Sequence, residues 1–169
     1  MGGRGLPKFA REFRRVLPSP PLPLSFTVGW LVIYQEKHPE QVYLIAGSHE
    51  SKLLIGAQQS ERHPDLCVYL SSQPDAPDVW SVWVPAIVIE VVSPRSARRD
   101  YDDKPEEYLE FGVSEYWIID SIKQQMTVLT RWRGQWKKQI VKPSQKYRTP
   151  LLPGFSFDLK RVFATTKSK

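Results

Sequence analysis

A chain of 169 residues with 41% hydrophobic content and six Trp has the apolar material for one ordinary domain and leaves little room for two. No apolar stretch approaches the ~20 residues that span a bilayer, and the basic N-terminus runs into proline-rich sequence instead of a signal-peptide core, so a soluble, cytoplasmic protein is expected. The lone cysteine, Cys67, excludes an intrachain disulfide, and its apolar surroundings mark it as packing.

The formal charge of +6 hides an asymmetry. Residues 121–169 hold 12 Lys/Arg against one acid, Asp158, whereas residues 1–120 hold 12 Lys/Arg against 17 Asp/Glu. An acidic middle beside a basic end suits a cation site next to a surface for a polyanion, although charges that only solvate one face give the same composition.

In chain order, residues 1–24 combine Arg4, Lys8, Arg11, Arg14 and Arg15 with Pro18-Ser-Pro-Pro-Leu-Pro23, which favours an extended arm, and residues 25–169 form the single domain. Ser25 to Glu36 is dense enough in apolar residues for a helix, but its Val, Ile, Trp and Tyr content also permits a strand; Pro39 ends it. Val42–Ala46 and Leu53–Ile55 flank Gly47-Ser-His-Glu-Ser51 and predict a hairpin. Leu66–Leu70 follows Pro64-Asp65 as another short strand, and Ser71–Asp78, with two prolines, is a loop.

The run Ala86-Ile-Val-Ile-Glu-Val-Val92, ended by Ser93-Pro94, predicts a buried strand with a carboxylate, Glu90, in its middle. Buried without a partner, that group would cost several kcal/mol or take up a proton. An internal Lys or Arg would satisfy it, and so would a metal ion. If Leu66–Leu70 pairs antiparallel with this strand so that Leu70 faces Pro85, Asp65 falls opposite Glu90, with Cβ atoms ~5 Å apart on one sheet face. Two facing carboxylates repel unless a proton or cation lies between them.

Lys104–Phe111 predicts a helix with Pro105 in its first turn, acids at its positive end and Gly112 as its stop. Tyr116–Asp120 follows as a buried strand, making a βαβ unit whose two strands run parallel. Met126–Leu129 and Gln139–Val141 frame a basic hairpin over Arg131–Lys138, and Pro153–Phe163 alternates as one more strand or an extended flap.

Pro64-Asp65, then 24 intervening residues, then Glu90-Val-Val92 resembles the Asp…Glu-x-Lys core of the PD-(D/E)XK nuclease superfamily. Within it, Ile89–Pro94, Ala97-Arg-Arg-Asp100, Lys104, Tyr108, Gly112-Val113 and Glu115–Asp120 resemble the Uma group of putative restriction endonucleases, over about residues 42–163. The resemblance implies an α/β restriction-endonuclease-like core, a mixed sheet flanked by helices, acting as a Mg²⁺-dependent endonuclease on DNA, with Mn²⁺ as substitute and often as a homodimer. It implies Asp65 and Glu90 as metal ligands, with the backbone carbonyl of Val91 as a third. The superfamily lysine normally stands two residues after the glutamate, where this chain has Val92, so Lys104 takes that role from the helix. The chain departs from the group at Ala86, where a second Asp is usual, at Pro105 directly after the lysine, and in its N-terminal part.

Asp100 and Tyr108 stand four residues either side of Lys104 and, on a continuous helix, share its face as support. Arg98 and Arg99 are candidates to grip phosphates, and Arg131, Trp132, Arg133, Trp136, Lys137 and Lys138 to form a surface that tracks a nucleic-acid backbone. His38, His49 and His63 lack zinc-like spacing. The alternative function is a non-catalytic nucleic-acid-binding protein that keeps the fold over a decayed metal site, for which Ala86 and Val92 speak.

Overall fold

The computed structural model describes residues 22–56 and 59–164. In chain order they form α1 (Leu22–Lys37), β1 (Leu44–Gly47), β2 (Leu53–Ile55), β3 (Ser60–Arg62), β4 (Leu66–Tyr69), a 3₁₀ turn (Val79–Ser81) and β5 (Ile87–Val91). A π-helical turn (Arg99–Asp103) then leads into α2 (Lys104–Phe111), followed by β6 (Glu115–Asp120), β7 (Gln125–Trp132), β8 (Gln135–Val141), β9 (Lys146–Tyr147), β10 (Phe157–Asp158) and α3 (Leu159–Ala164).

Six strands make one mixed sheet in the order β1-β4-β5-β6-β7-β8. Its one parallel pair is β5 with β6, the two strands joined through α2. On one face, Ile87, Ile89, Trp117 and Val128 pack under Leu31 and Tyr34 of α1 and Val162 and Phe163 of α3. On the other face, Val88, Tyr116 and Ile118 pack under Tyr108 of α2 and Leu53 and Ile55 of β2. Alternate residues of each strand therefore serve opposite cores, as the two-residue strand period requires. Cys67 lies buried in the second of these.

Several expectations need correction. The arm assigned to residues 1–24 ends sooner, because α1 starts at Leu22 and holds Pro23 in its first turn, where a missing N–H is harmless; the rest of that arm lies outside the described residues. The segment that permitted helix or strand is helix. β1 and β2 do not pair with each other: β1 joins β4 in the main sheet, and β2 pairs with β3 in a sheet of two. The residues between them form a tight turn, with Ser51 N–H bonded to the Gly47 carbonyl at 3.1 Å and the Gly47 N–H to Glu50 Oε2 at 2.7 Å. At the C-terminal end, the strand expected through Phe163 stops after two residues. Asp158 Oδ1 accepts from Lys160 N–H at 3.1 Å and starts α3 as its cap.

Candidate active site

β4 and β5 pair antiparallel with Leu66 opposite Ile89, Cys67 opposite Val88 and Val68 opposite Ile87. One step further brings Asp65 to Glu90, the register expected from the sequence. The contact is direct. Asp65 Oδ2 accepts from the Val91 N–H at 2.7 Å, and the Asp65 N–H approaches Glu90 Oε2 at 3.4 Å.

Glu90 is buried, yet its carboxylate is well partnered. Oε1 receives the Tyr108 hydroxyl at 2.8 Å and lies 2.8 Å from Lys104 Nζ. The same ammonium sits 2.7 Å from Asp100 Oδ1, so Lys104 bridges two buried acids. Burial pushes the Glu90 carboxyl up to about 7, with Lys104 opposing and Asp65 adding to the rise. Burial also raises Asp65, against its hydrogen bond from Val91. Burial by itself would lower Lys104; the Glu90 and Asp100 carboxylates overcome it and hold the ammonium above its ordinary range.

Lys104 reaches these acids because of what happens around Pro105. A proline inside a helix cannot donate to the preceding turn, and its ring clashes with the carbonyl four residues back. The backbone widens there into the π turn, with the Lys104 N–H bonded to the Arg99 carbonyl, an arrangement common at functional sites. The Tyr116 hydroxyl donates to the Asp100 carbonyl at 2.9 Å. Asp100 and Tyr108 thus both support the lysine or its partner, as their spacing implied.

Four further contacts hold α2 in place. The Arg62 guanidinium forks onto buried Glu107, Nη2 to Oε1 at 2.6 Å. Trp136 Nε1 donates to the Pro105 carbonyl at 2.7 Å, and Arg131 Nη1 to the Leu109 carbonyl at 2.7 Å. Gly112, at φ +105°, closes the helix in the left-handed region with its N–H on the Tyr108 and Leu109 carbonyls. Arg62 escaped the sequence reading, since nothing local marks a partner 45 residues away.

The basic residues do not form the single surface expected of them. Register through β7 and β8 pairs Arg131 with Trp136 and Leu129 with Lys138, and period-two alternation puts these on the same face as Glu90 and α2. Arg131 and Trp136 each donate to a carbonyl of α2. Trp132 and Lys137 occupy the opposite face, the ammonium 4.2 Å from the indole centroid, and Arg133 sits in the tight turn with Gly134, both at positive φ. Arg98 and Arg99 are exposed where the π turn begins, directly before Asp100. Ala86 precedes β5 and packs against the core under α1 and α3.

Whether a Mg²⁺ ion suits this site turns on its donor set. Among the described residues no group of three or more His, Cys, Asp or Glu side chains is arranged to hold a metal. The oxygen donors that converge are the Asp65 and Glu90 carboxylates, beside the Val91 backbone. Mg²⁺ commonly takes one or two carboxylates, keeps several waters and gains ligands from a bound phosphate, so two hard carboxylates fit it where a closed cage of side chains would not be required.

Among the described residues no helix is long and apolar enough to cross a membrane. No curated protein matches the chain. The fold is similar to that of a solved structure described as a putative nuclease belonging to DUF820 from Anabaena variabilis ATCC 29413. The TM-score is 0.67 at 17% sequence identity, over 85% of this chain and 79% of that one. The match to the Uma2 family model, described as "Putative restriction endonuclease", runs over residues 23–160; with the sheet, the crossover helix and the acid pair in place, the chain belongs to the Uma2 family.

Proposed function

We propose that this protein is a metal-dependent endonuclease that hydrolyses phosphodiester bonds of DNA, using Mg²⁺ or, in its place, Mn²⁺. The observation that carries this reading is the convergence of Asp65, Glu90 and Lys104 on one spot, where β4 begins, β5 ends and α2 starts. A drifting, decayed site would have no reason to keep a lysine, a buried tyrosine and a widened helical turn around one costly carboxylate.

Asp65 and Glu90 would hold the cation, with the Val91 carbonyl as a further candidate ligand. The bound ion would supply Lewis acidity toward the phosphoryl oxygen and a water of lowered pKa. The remaining work falls to the chain itself. Lys104, kept protonated by its two acids, is not a general base; it orients the attacking water and offsets charge on the phosphate as negative charge builds. Water adds to phosphorus and gives up a proton to solvent, one P–O ester bond breaks, and the departing alkoxide takes a proton from solvent water. Tyr108 holds Glu90 in its rotamer through this step, and Asp100 keeps the Lys104 ammonium aimed at the site. Arg98 and Arg99 are available to flanking phosphates.

The test is cleavage of supercoiled and single-stranded DNA with Mg²⁺, Mn²⁺ or chelator, beside a Glu90→Ala variant purified in the same way. Cutting that needs metal and disappears in the variant supports the nuclease. Binding of DNA with no cutting by either protein, under both metals, would leave a non-catalytic nucleic-acid-binding protein instead.

A further inference from the structure

Around the turn that follows β1, an open pocket of about 530 Å³ is lined by Ser48, His49, Glu50, Lys52, His63 and Trp80. Its size falls within the ~300–1,000 Å³ usual for small-ligand sites. Its position follows from strand register. β1 pairs with β4 so that Gly47 faces Leu66, and one more step puts Ser48 beside Asp65; the His63 ring, two residues before Asp65, meets the Ser48 carbonyl at 3.3 Å. Ser48 and His63, which line the pocket, thus lie next to Asp65, across the strand pair and along the chain, on the side away from Glu90.

The charges of the cavity nearly cancel. Lys52 and His63 both face the Glu61 carboxylate, at 3.7 and 2.7 Å, and Glu50 is engaged by the Gly47 N–H. Such a site has little pull on a phosphate. It offers a half-buried indole, carried by the 3₁₀ turn that Asp78 caps, together with donors and acceptors around it. A flat, neutral ring with polar edges matches that chemistry.

We infer that this cavity is a subsite for an unpaired nucleobase of the strand being cut, stacked on Trp80 beside the Asp65–Glu90 centre. The inference rests on the nuclease reading and narrows it: the preferred substrate is single-stranded or locally unpaired DNA. Stacking of a base on an aromatic side chain is worth ~1–3 kcal/mol and is indifferent to sequence, so the subsite selects strandedness and not a base sequence.

The experiment measures binding of a fluorescein-labelled oligothymidylate, a matched duplex and an oligomer of abasic sites, by anisotropy in chelator, where nothing is cut. The wild type should favour the oligothymidylate over both other probes. Trp80→Ala should weaken that binding between about 5-fold and 150-fold and leave duplex binding unchanged, while Trp80→Phe keeps most of the affinity. If Trp80→Ala does not fold, Trp80→Leu, which keeps apolar bulk and removes the indole face, must show the same selective loss. Equal affinity of wild type and folded variant for oligothymidylate, or equal losses on all three probes, overturns the subsite. A protein that binds oligothymidylate through Trp80 yet never cuts keeps the subsite and loses the nuclease; one that cuts DNA with Trp80 replaced at no penalty loses the subsite alone.

Discussion

Glu90 carries two opposing demands in one side chain. Burial favours its neutral form, raising its carboxyl to about 7, whereas a cation needs the anion. In metal-free protein, the stability tied to the neutral carboxyl is fully present below the ordinary carboxylate range near ~4.3 and is lost as pH rises toward 7. Glu90→Gln cannot ionise and can still accept from Tyr108. In chelator its melting temperature should gain on the wild type as pH rises from about 4.5 to 7 and keep a constant lead above that. A gap that does not vary with pH would mean that Glu90 does not titrate there. With metal present the same variant should cut no DNA. Calorimetric titration should find that wild-type affinity for Mn²⁺ falls as pH drops below 7, because protons then compete for Glu90.

At the scale of elements, α2 is positioned by bonds to its backbone as much as by its apolar face. Arg131→Ala removes a charged donor from the Leu109 carbonyl and should cost about 1–3 kcal/mol in urea unfolding. It should leave the slope of DNA affinity against salt unchanged, since the guanidinium faces a helix end and not a phosphate; a slope reduced by about one would restore the phosphate role. Tyr116→Phe strips the Asp100 carbonyl of its hydroxyl donor at the turn that aims Lys104. We expect a loss of about 1–2 kcal/mol in stability and a drop in kcat with KM little changed, read from single-turnover and steady-state cleavage. The limits of α2 were legible beforehand, because Pro105 and Gly112 act through their own backbones. Its π turn was not, since it reflects Pro105 answered by a hydroxyl from β6.

For the molecule as a whole, the sheet separates the basic residues. Lys137 and Trp132 stand on the face opposite Glu90, while Arg98 and Arg99 flank the site itself. Lys137 and Lys138 also lie on β8, the sheet's edge strand, where lysines discourage pairing with other chains. Arg98→Ala with Arg99→Ala should lower the salt slope of DNA binding by about 2. Trp132→Ala with Lys137→Ala should leave slope and cutting alike; the reverse pattern would move the nucleic-acid path to the other face.

What the amino-acid sequence alone determined was whatever depends on near neighbours. Pro105 and Gly112 bound a helix by steric rule, and strand–helix–strand order sets β5 parallel to β6; the register in which Asp65 meets Glu90 was one the loop from Ser71 permits, and the paired strands selected it. What only the tertiary structure decided was the choice among distant partners of equal local merit. Leu53–Ile55 pairs with β3 and not β1; Asp158 turns the last alternating run into a helix; Arg131 and Trp136 each donate to a carbonyl of α2. Composition carries the sign of a charge but not its direction, and direction is set by which face of a strand each residue occupies once the whole sheet has closed.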